Sequence, residues 1–288
     1  MIILDGRKLR DKRKQKLVRY IKEVNNVPTL AIVQVGQNPE SSTYIEQKKL
    51  FGKSVGSYIV HKKFPEDVAL DNLHQTIDEY NQDKKISGII VQLPLPENFN
   101  QQEVIDWIDP AKDVDGLTSE NTKKLLEGSP RFIPATAKGV ATLLKEYGID
   151  VSGKKVTVIG RSALVGRPTA EILKRQGATV TVCHRGTVDI KEKTIGADII
   201  VVAAGHSHLV TDEYVCEGQV VIDVGINTLS GEHFDEEIPG KKYVGDVDFE
   251  KVSKKVAAIS PVPGGVGPMT VLSLFENLIE AHRMACNN

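Results

Sequence analysis

Short apolar runs alternate with helix-like stretches along this 288-residue chain. The alternation is typical of β-strand–α-helix–β-strand units with parallel sheets, so it predicts an α/β fold. At roughly 150 residues per domain, the length predicts two domains, with one large domain as the alternative. The predicted strands are Thr29–Val35, Ser57–Val60, Gly88–Gln92, Lys155–Ile159, Thr179–Cys183, Asp198–Ala203 and Val220–Val224. The predicted helices are Thr43–Lys53, Leu70–Asn81, Gly139–Tyr147, Gly166–Gln176 and Met269–Met284.

Two finer patterns add to this outline. The strands of the second half are apolar at successive positions, which indicates a sheet covered by helices on both faces. Thr43 followed by Glu46 is a capping-box pattern and predicts that a helix begins at Thr43.

Composition argues against several classes of function. The formal net charge of −1 disfavours nucleic acid as a partner, because duplex binding usually needs a basic stripe. Basic residues cluster between Arg7 and Lys16, which we interpret as the solvated face of a first helix; a membrane or nucleic-acid patch is the alternative. No apolar run approaches the roughly 18 residues of a membrane span, and the N-terminus does not resemble a signal peptide. The three widely spaced cysteines disfavour a disulfide framework or a zinc site and favour the cytoplasm.

The most informative segment is Val156–Gly166, where a strand is followed by a turn and a helix. A helix N-terminus offers free N–H groups and partial positive charge, which suit a pyrophosphate. Gly160 permits the tight turn, and Gly166 permits close packing of helix on strand. Ser162 stands in place of the middle glycine of G-x-G-x-x-G, and the loop is one residue longer. This context predicts a dinucleotide-binding turn, with a plain strand-to-helix turn as the alternative.

The residues after the next strand indicate which dinucleotide binds. A site that prefers NAD usually places Asp or Glu there, to bond the ribose 2′-hydroxyl. This chain has Cys183-His184-Arg185 instead. Arg185 and Arg161 would make charge-assisted hydrogen bonds to a 2′-phosphate. We therefore predict NADP as the cofactor; the alternative is that both arginines are solvated surface residues.

Other glycine-containing segments also suit a ligand site. Gly205 and Gly225 follow two further strands, where glycine lets a cofactor approach the backbone. Pro261–Thr270 contains three glycines and three prolines, which predicts a rigid segment with little side-chain bulk. Such a segment can line a cavity for a flat ligand, although an interdomain linker is the alternative.

Tyr44 and Lys48 are four residues apart on a predicted helix and share one face. A Lys whose pKa is lowered by burial can act as an acid or base near neutral pH, whereas a surface pair is the alternative. Short-chain dehydrogenases carry the same pair after an N-terminal glycine-rich turn. Here the pair precedes the turn by more than 100 residues, so the order of the motifs rejects that family.

Two polar motifs follow in the first half. Gln92 ends a strand before Pro94 and Pro96, which would stop the strand and direct the amide into a cleft; a structural turn is the alternative. Asp113 and Asp115, two apart before a glycine, would bind Mg²⁺, form an Asx-turn or make two hydrogen bonds to an amino-pyrimidine edge. Metal binding is the weakest of these three, because no further acidic cluster is near.

Together these segments resemble the bifunctional methylenetetrahydrofolate dehydrogenase/methenyltetrahydrofolate cyclohydrolase family. The resemblance covers nearly the whole chain. Four motifs in the family's order carry it: Val91–Pro96 (VQLPLP), Lys112–Gly116 (KDVDG), Gly160–Gly166 (GRSALVG) and Pro261–Thr270 (PVPGGVGPMT). We expect a folate-binding catalytic domain of residues 1–138 plus 268–288 and a Rossmann-like NADP-binding domain of residues 139–267. The resemblance implies a cleft between them and a homodimer.

The resemblance also implies an activity and roles for residues. The activity is oxidation of 5,10-methylenetetrahydrofolate with NADP, then hydrolysis of the methenyl product to 10-formyltetrahydrofolate. Lys48 matches the general acid/base of the hydrolysis and Gln92 its assistant. Tyr44 stacks on or orients the folate, and Asp115 anchors its pterin ring. The remaining matches are Gly160, Arg161, Ser162 and Arg185 for the cofactor, Ile226 near the nicotinamide, and Gly264 and Gly265 beside the folate.

The chain departs from the family pattern in two places. The family usually has Pro-Cys-Thr-Pro where this chain has Pro134-Ala135-Thr136-Ala137. A proline is common two residues after Gly205, where this chain has a His-Ser-His run that lacks a third metal ligand nearby. The alternatives to a bifunctional enzyme are a monofunctional dehydrogenase, which the retained Lys48 disfavours, and a non-catalytic NADP-binding regulator.

Overall fold

The computed structural model describes residues 1–229 and 242–286. The strands, in chain order, are β1 (Ile2–Ile3), β2 (Thr29–Val35), β3 (Tyr58–Phe64), β4 (Gly88–Val91), β5 (Lys155–Ile159), β6 (Thr179–Cys183), β7 (Ile199–Val202), β8 (Val220–Asp223), β9 (Asn227–Leu229), β10 (Lys242–Val244) and β11 (Ala258–Ile259). The helices are α1 (Gly6–Glu23), α2 (Pro39–Val55), α3 (Leu70–Gln82), α4 (Gln101–Asp106), α5 (Ser119–Glu127), α6 (Ala135–Glu146), α7 (Gly166–Arg175), α8 (Ile190–Ile195), α9 (Phe249–Val252) and α10 (Val266–Cys286). These elements confirm the predicted α/β class.

The chain divides into two compact units. Unit 1 comprises Met1–Asp11 and Thr136–Thr270, and unit 2 comprises Lys12–Ala135 and Val271–Asn288. Because three helices (α1, α6 and α10) cross the boundaries, the chain passes between the units three times. The predicted domains, residues 1–138 plus 268–288 and residues 139–267, stay a prediction. In the structure β1 pairs with β11 and so extends the sheet of unit 1.

Unit 2 is built on a parallel sheet in the order β3-β2-β4. The central strand β2 is buried along its whole length, which explains why five of its seven residues are apolar. The core under the sheet includes Val33, Leu73, Ile77 and Ile89. The strands in this unit lie where the sequence predicts them, to within one residue at their starts, although β3 continues four residues beyond Val60.

The start of α2 corrects the capping-box prediction. The helix begins at Pro39, so Thr43 and Glu46 lie inside it. Asn38 is the capping residue, because its side-chain oxygen accepts a hydrogen bond from the Ser41 N–H at 3.0 Å. An Asn cap followed by Pro in the first helical position is a stronger start signal than the Thr–Glu pair.

Unit 1 contains a sheet of six parallel strands in the order β1-β11-β8-β7-β5-β6. Strands β7 and β8 are buried, as predicted for a sheet covered on both faces. The prediction is wrong for β6, which lies at the edge of the sheet and alternates between exposed and partly buried residues until Cys183. Strand β6 lies on one side of β5 and β7 on the other, so the order in which successive strands are added to the sheet reverses beside β5. In open parallel sheets, ligands bind at such a switch point, at the carboxyl ends of the strands.

Two further features bear on the sequence predictions. Helix α1 exposes Lys8, Lys12 and Lys16, as expected for a solvated helix face. Within residues 1–229 and 242–286, no helix combines the length and apolarity that crossing a membrane requires.

Candidate active site

Lys48 occupies the inward-facing side of α2. Buried residues at three- and four-residue spacing, Ser41, Ile45 and Gly52, mark that side of the helix. Lys48 falls in the same stripe and is partly buried, at a position where an amphipathic helix would normally carry an apolar residue. Tyr44, one turn earlier on this face, is also partly buried. The shared face predicted for the pair is therefore present.

Gln92 holds the Lys48 amine. The Lys48 Nζ donates a hydrogen bond to the Gln92 Oε1 at 2.8 Å. Gln92 is itself fixed, because its backbone N–H donates to the Val33 carbonyl and its Nε2 donates to the Leu93 carbonyl, each at 2.8 Å. The carboxyl end of β4 thus directs a single carbonyl oxygen at the amine.

The loop at Asp113 brings Asp115 to the same place. It runs beside β4, where the Ile89 N–H donates to the Lys112 carbonyl at 2.8 Å. The buried Asp113 carboxylate accepts hydrogen bonds from the N–H groups of Gly116 and Thr118 and from the Asn121 side chain. Asp113 therefore shapes the loop, in the manner of the Asx-turn alternative, and Asp115 lies close enough to Lys48 for their charges to interact.

Burial shifts the pKa values of Lys48 and Asp115, and the attraction between the two charges opposes both shifts. Burial lowers the pKa of Lys48, and the nearby Asp115 carboxylate opposes that shift. Burial raises the pKa of Asp115; Lys48 opposes the shift, and Asp113 adds to it. A lowered lysine pKa makes the neutral amine more available for proton transfer. Lys48, Gln92 and Asp115 therefore form a cluster suited to acid–base chemistry, which we call the lysine cluster.

The turn after β5 lies at the switch point of unit 1. Gly160 has φ +123°, and a Cβ built on it would lie 2.1 Å from the Ala203 carbonyl oxygen at the end of β7. A Cβ on Gly166 would lie 2.2 Å from the Gly160 carbonyl oxygen. Glycine is therefore required at both positions, as the sequence predicts for a tight turn and a close helix–strand approach.

The Ser162 side chain is hydrogen-bonded to the start of the helix that follows this turn. Its Oγ accepts hydrogen bonds from the N–H groups of Val165 at 3.2 Å and Gly166 at 3.3 Å. The side chain thus stabilises the start of α7 from the position of the missing glycine. Arg161 and Ser162 are both exposed on the turn.

Arg185 projects from a tight turn after β6. The turn is closed by the Thr187 N–H, which donates to the His184 carbonyl at 2.8 Å, and by the His184 N–H, which donates to the Thr187 Oγ1 at 2.9 Å. The Arg185 side chain is exposed and contacts the ring of His206, which follows β7. No carboxylate lies between Cys183 and Thr187.

The remaining predicted residues also lie in unit 1. Ile226 is 37% exposed. Its Cδ1 lies beside Gly267, because a Cβ built on Gly267 would be 3.8 Å from it. Gly264 has φ +114°, and its carbonyl accepts hydrogen bonds from the N–H groups of Gly6 and Arg7, at 2.9 and 3.2 Å. Gly265 is tightly packed, since a Cβ on it would lie 2.6 Å from the Pro261 carbonyl oxygen. Folate or nicotinamide contacts at these positions stay predictions.

Sequence reasoning missed two buried carboxylates, Asp223 and Asp246. Asp246 accepts hydrogen bonds from the N–H groups of Ala204 at 2.6 Å, Gly205 at 2.8 Å and His206 at 2.9 Å. The Asn227 side chain donates to it as well, at 2.9 Å. Asp246 therefore ties the loop after β7 to the start of β9.

Asp223 holds the segment that contains Asp246. The Asp223 carboxylate accepts hydrogen bonds from the N–H groups of Gly225, Asp246 and Val247, at 2.9–3.1 Å. Each acid fills space beside a glycine, because a Cβ on Gly225 would meet Asp246 and a Cβ on Gly245 would meet Asp223. The paired Asp-x-Gly and Gly-Asp sequences are the signal that could have revealed this arrangement.

Residues 1–229 and 242–286 contain no group of three or more His, Cys, Asp or Glu side chains arranged to hold a metal ion.

Comparisons with known proteins match both parts of the chain. The family description "Tetrahydrofolate dehydrogenase/cyclohydrolase" matches residues 4–115 with its catalytic domain and residues 134–286 with its NAD(P)-binding domain. The chain is 44% identical over 285 residues to "Bifunctional protein FolD" of a Nitratiruptor species, covering 98% of both chains.

Solved structures give the same result. The bifunctional methylenetetrahydrofolate dehydrogenase/cyclohydrolase of Campylobacter jejuni is 41% identical with a TM-score of 0.92, covering 99% of both chains. The corresponding Trypanosoma brucei enzyme, solved with NADP and an inhibitor, is 32% identical with a TM-score of 0.94, covering 100% of this chain and 99% of that one.

Proposed function

This chain belongs to the tetrahydrofolate dehydrogenase/cyclohydrolase family, and from that premise we propose that it oxidises 5,10-methylenetetrahydrofolate with NADP and hydrolyses the methenyl product to 10-formyltetrahydrofolate. The observation that carries the hydrolytic half is the lysine cluster, in which Gln92 holds the Lys48 amine at 2.8 Å. The turn at Gly160 supports the dehydrogenase half, because it offers a glycine-lined sheet edge to a dinucleotide.

The residues of unit 1 fit NADP. Gly160 brings the backbone close to β7 at the switch point, so little side-chain bulk stands between a pyrophosphate and the turn. Arg161 and Arg185 are exposed, and the turn after β6 lacks the carboxylate that would repel a 2′-phosphate. We assign both arginines to that phosphate. Bound NADP supplies the acceptor for the hydride that leaves the methylene carbon.

Lys48 has the properties that the hydrolysis needs. Hydrolysis adds water to the methenyl carbon and breaks one of its two C–N bonds. Both protons of the water must leave its oxygen, which becomes the formyl carbonyl: one reaches the released nitrogen, and the other passes to solvent because a cationic substrate gives a neutral product. A neutral Lys48 amine accepts a proton as water attacks and donates it to the released nitrogen as an ammonium, so the residue is unchanged after a turnover. Burial favours the neutral form, and the hydrogen bond to Gln92 fixes the direction of the amine.

The other predicted contacts complete the proposal. We assign Asp115 to the pterin ring and Tyr44 to the folate that passes along α2, because both side chains lie partly buried near the Lys48 side of unit 2. We assign Ile226 to the nicotinamide, and Gly264 and Gly265 to the folate.

We also expect the protein to be cytoplasmic and to form a homodimer. None of the three cysteines forms a disulfide, which suits a reducing compartment such as the cytoplasm. The dimer is expected from the edge of the sheet in unit 2. Among residues 1–229 and 242–286, no strand pairs with the outer side of β3, and Tyr58 on that strand is 66% exposed. An edge strand of this kind can pair with a second copy. Light scattering that gave the mass of a single chain would contradict the dimer.

A titration of the purified protein tests the activity. Methylenetetrahydrofolate and NADP are added together, and absorbance follows NADPH and the methenyl product. We expect NADPH to form and the methenyl product to decay faster than in buffer. Absence of NADPH would instead indicate a non-catalytic NADP-binding protein. NADPH with decay no faster than in buffer would indicate a monofunctional dehydrogenase.

A further inference from the structure

The turn after β6 and the loop after β7 meet through two exposed side chains. Arg185 on the first contacts His206 on the second, through the guanidinium Nη2 and the imidazole Nε2. Strand β5 lies between β6 and β7, so these two segments flank the Gly160 turn. The contact therefore stands at the sheet edge that we assign to the cofactor.

The chemistry of the two groups fixes the direction of this hydrogen bond. A guanidinium has only donors, so the Nε2 of His206 must accept. The imidazole is thus unprotonated at Nε2 and carries its proton at Nδ1. His206 acts here as an acceptor that orients a cation, not as a second cation.

Both partners are attached to well-defined backbone. The hydrogen bonds between His184 and Thr187 close the turn that carries Arg185. The His206 N–H donates to the buried Asp246 carboxylate at 2.9 Å, as do the two preceding N–H groups. The imidazole is therefore presented from a fixed point, and the long Arg185 side chain gains a partner that restricts its rotamers.

We infer that His206 is a residue that determines cofactor specificity, by holding the Arg185 guanidinium in place for a 2′-phosphate. A free arginine side chain must lose rotamer freedom when it binds, and a pre-oriented one loses less. This smaller loss of rotamer freedom strengthens the binding only of a ligand that carries the 2′-phosphate, so it raises the preference for NADP over NAD. This inference rests on the proposed assignment of Arg185.

Binding measurements on four variants test the inference. Calorimetry gives the Kd of NADP, NAD, 2′,5′-ADP and 5′-AMP for the unmodified protein and for His206→Ala, His206→Gln, Arg185→Ala and His208→Asn. We expect His206→Ala to weaken NADP and 2′,5′-ADP roughly three- to tenfold, the effect of about one hydrogen bond, and to leave NAD and 5′-AMP within about twofold. Gln carries an acceptor near the position of Nε2, so His206→Gln should restore most of the loss.

His208→Asn is the matched control from the same loop. His208 has φ +54°, a conformation that Asn tolerates, so this variant should leave all four Kd values unchanged. The unchanged NAD affinity reports that each variant folds.

The outcomes separate the inference from the proposed function. If Arg185→Ala lowers the NADP preference and His206→Ala does not, the inference is wrong and the assignment of Arg185 stands. A His206→Gln protein as weak as His206→Ala would also overturn it, because the acceptor would then be irrelevant. If Arg185→Ala leaves the preference unchanged, the 2′-phosphate assignment fails, and the role of His206 fails with it.

Discussion

At the scale of single residues, burial decides which charged groups can do chemistry. Lys48 and Lys49 are neighbours, yet Lys49 pairs with the exposed Glu46 at 2.7 Å, while Lys48 turns inward to Gln92. Asp113 and Asp115 divide in the same way, because Asp113 is saturated by hydrogen bonds that shape its loop. Lys48 and Asp115, the members of these pairs that belong to the lysine cluster, have pKa values that burial lowers and raises, respectively.

The two arginines of unit 1 allow a prediction about cofactor choice. Replacing Arg161 and Arg185 together by Ala removes both proposed partners of the 2′-phosphate, so the Michaelis constant for NADP should rise at least about 100-fold, and that for NAD far less. Steady-state kinetics with both cofactors measure the ratio. The double variant Lys174→Ala/Arg175→Ala removes the same charge from the other end of α7 and should leave the ratio unchanged. An unchanged ratio in the first variant would reject the phosphate assignment.

Asp223 predicts a pH dependence of stability. Burial raises its pKa from 3.8 to about 7, against the lowering effect of three backbone hydrogen bonds. Between about pH 4 and pH 7 the folded state therefore holds a proton that the unfolded state has lost, so this group's contribution to stability falls as the pH rises. Asp223→Asn cannot lose the proton, but it gives up an acceptor and should be less stable throughout.

Urea unfolding at pH 5 and pH 7.5 checks this sign. The stability difference between the unmodified protein and Asp223→Asn should be larger at pH 5 than at pH 7.5. Asp150→Asn, an exposed loop carboxyl in the same unit, should show no such dependence. A difference that grew with pH would contradict the account.

At the scale of elements, the turn between β5 and α7 depends on glycine for two separate reasons. Gly160 has a positive φ and also lacks the room for a Cβ beside Ala203, whereas Gly148 has φ +70° with nothing within 4 Å of a Cβ. Gly148→Ala should therefore cost only about 1 kcal/mol, the conformational term. Gly160→Ala adds a backbone collision and should cost several times as much.

Thermal unfolding compares the two variants directly. Since about 1 kcal/mol shifts Tm by roughly 2–4 °C for a unit of this size, Gly148→Ala should show a shift in that range and Gly160→Ala a much larger one. Equal shifts would mean that the close approach to β7 does not matter.

The elements that sequence patterns predict well are those that bury continuous apolar runs. The bounds of β2 and β5 match their predictions, because most of the buried positions in both strands are apolar. Two-residue strands such as β1 and β11 have no periodicity to detect, and their pairing depends on residues more than 250 apart. The sequence of β6 is typical of a buried strand, but β6 lies at the edge of the sheet, and only the tertiary structure determines that position.

The candidate site was predictable to the extent that local motifs encode it. The spacing of Tyr44 and Lys48 on one helix face and the glycines of the turn are local features. The hydrogen bond from Lys48 to Gln92 and the contact of Arg185 with His206 join distant segments. Asp223 and Asp246 escaped prediction because most of their backbone donors come from distant segments, and the short Asp-x-Gly and Gly-Asp sequences are their only local signal.

At the scale of the whole molecule, one chain combines two chemistries on different parts of its sequence. Gly160, Arg161 and Arg185, which we assign to the dinucleotide, belong to unit 1, and the lysine cluster belongs to unit 2. This division predicts that damage to the lysine cluster affects the two reactions unequally. Hydride transfer needs the substrate to be positioned, whereas hydrolysis also needs a group that transfers protons.

The most direct test measures both rates in Lys48→Met, with Lys49→Met as the control. The dehydrogenase rate is followed by NADPH and the cyclohydrolase rate by loss of the methenyl product. Because general acid–base catalysis contributes about 100-fold or more, hydrolysis should fall by at least about 100-fold while hydride transfer retains a substantial part of its rate. The control should keep both rates. Equal loss of the two activities in Lys48→Met would contradict the role of Lys48 as the proton-transfer group of the hydrolysis.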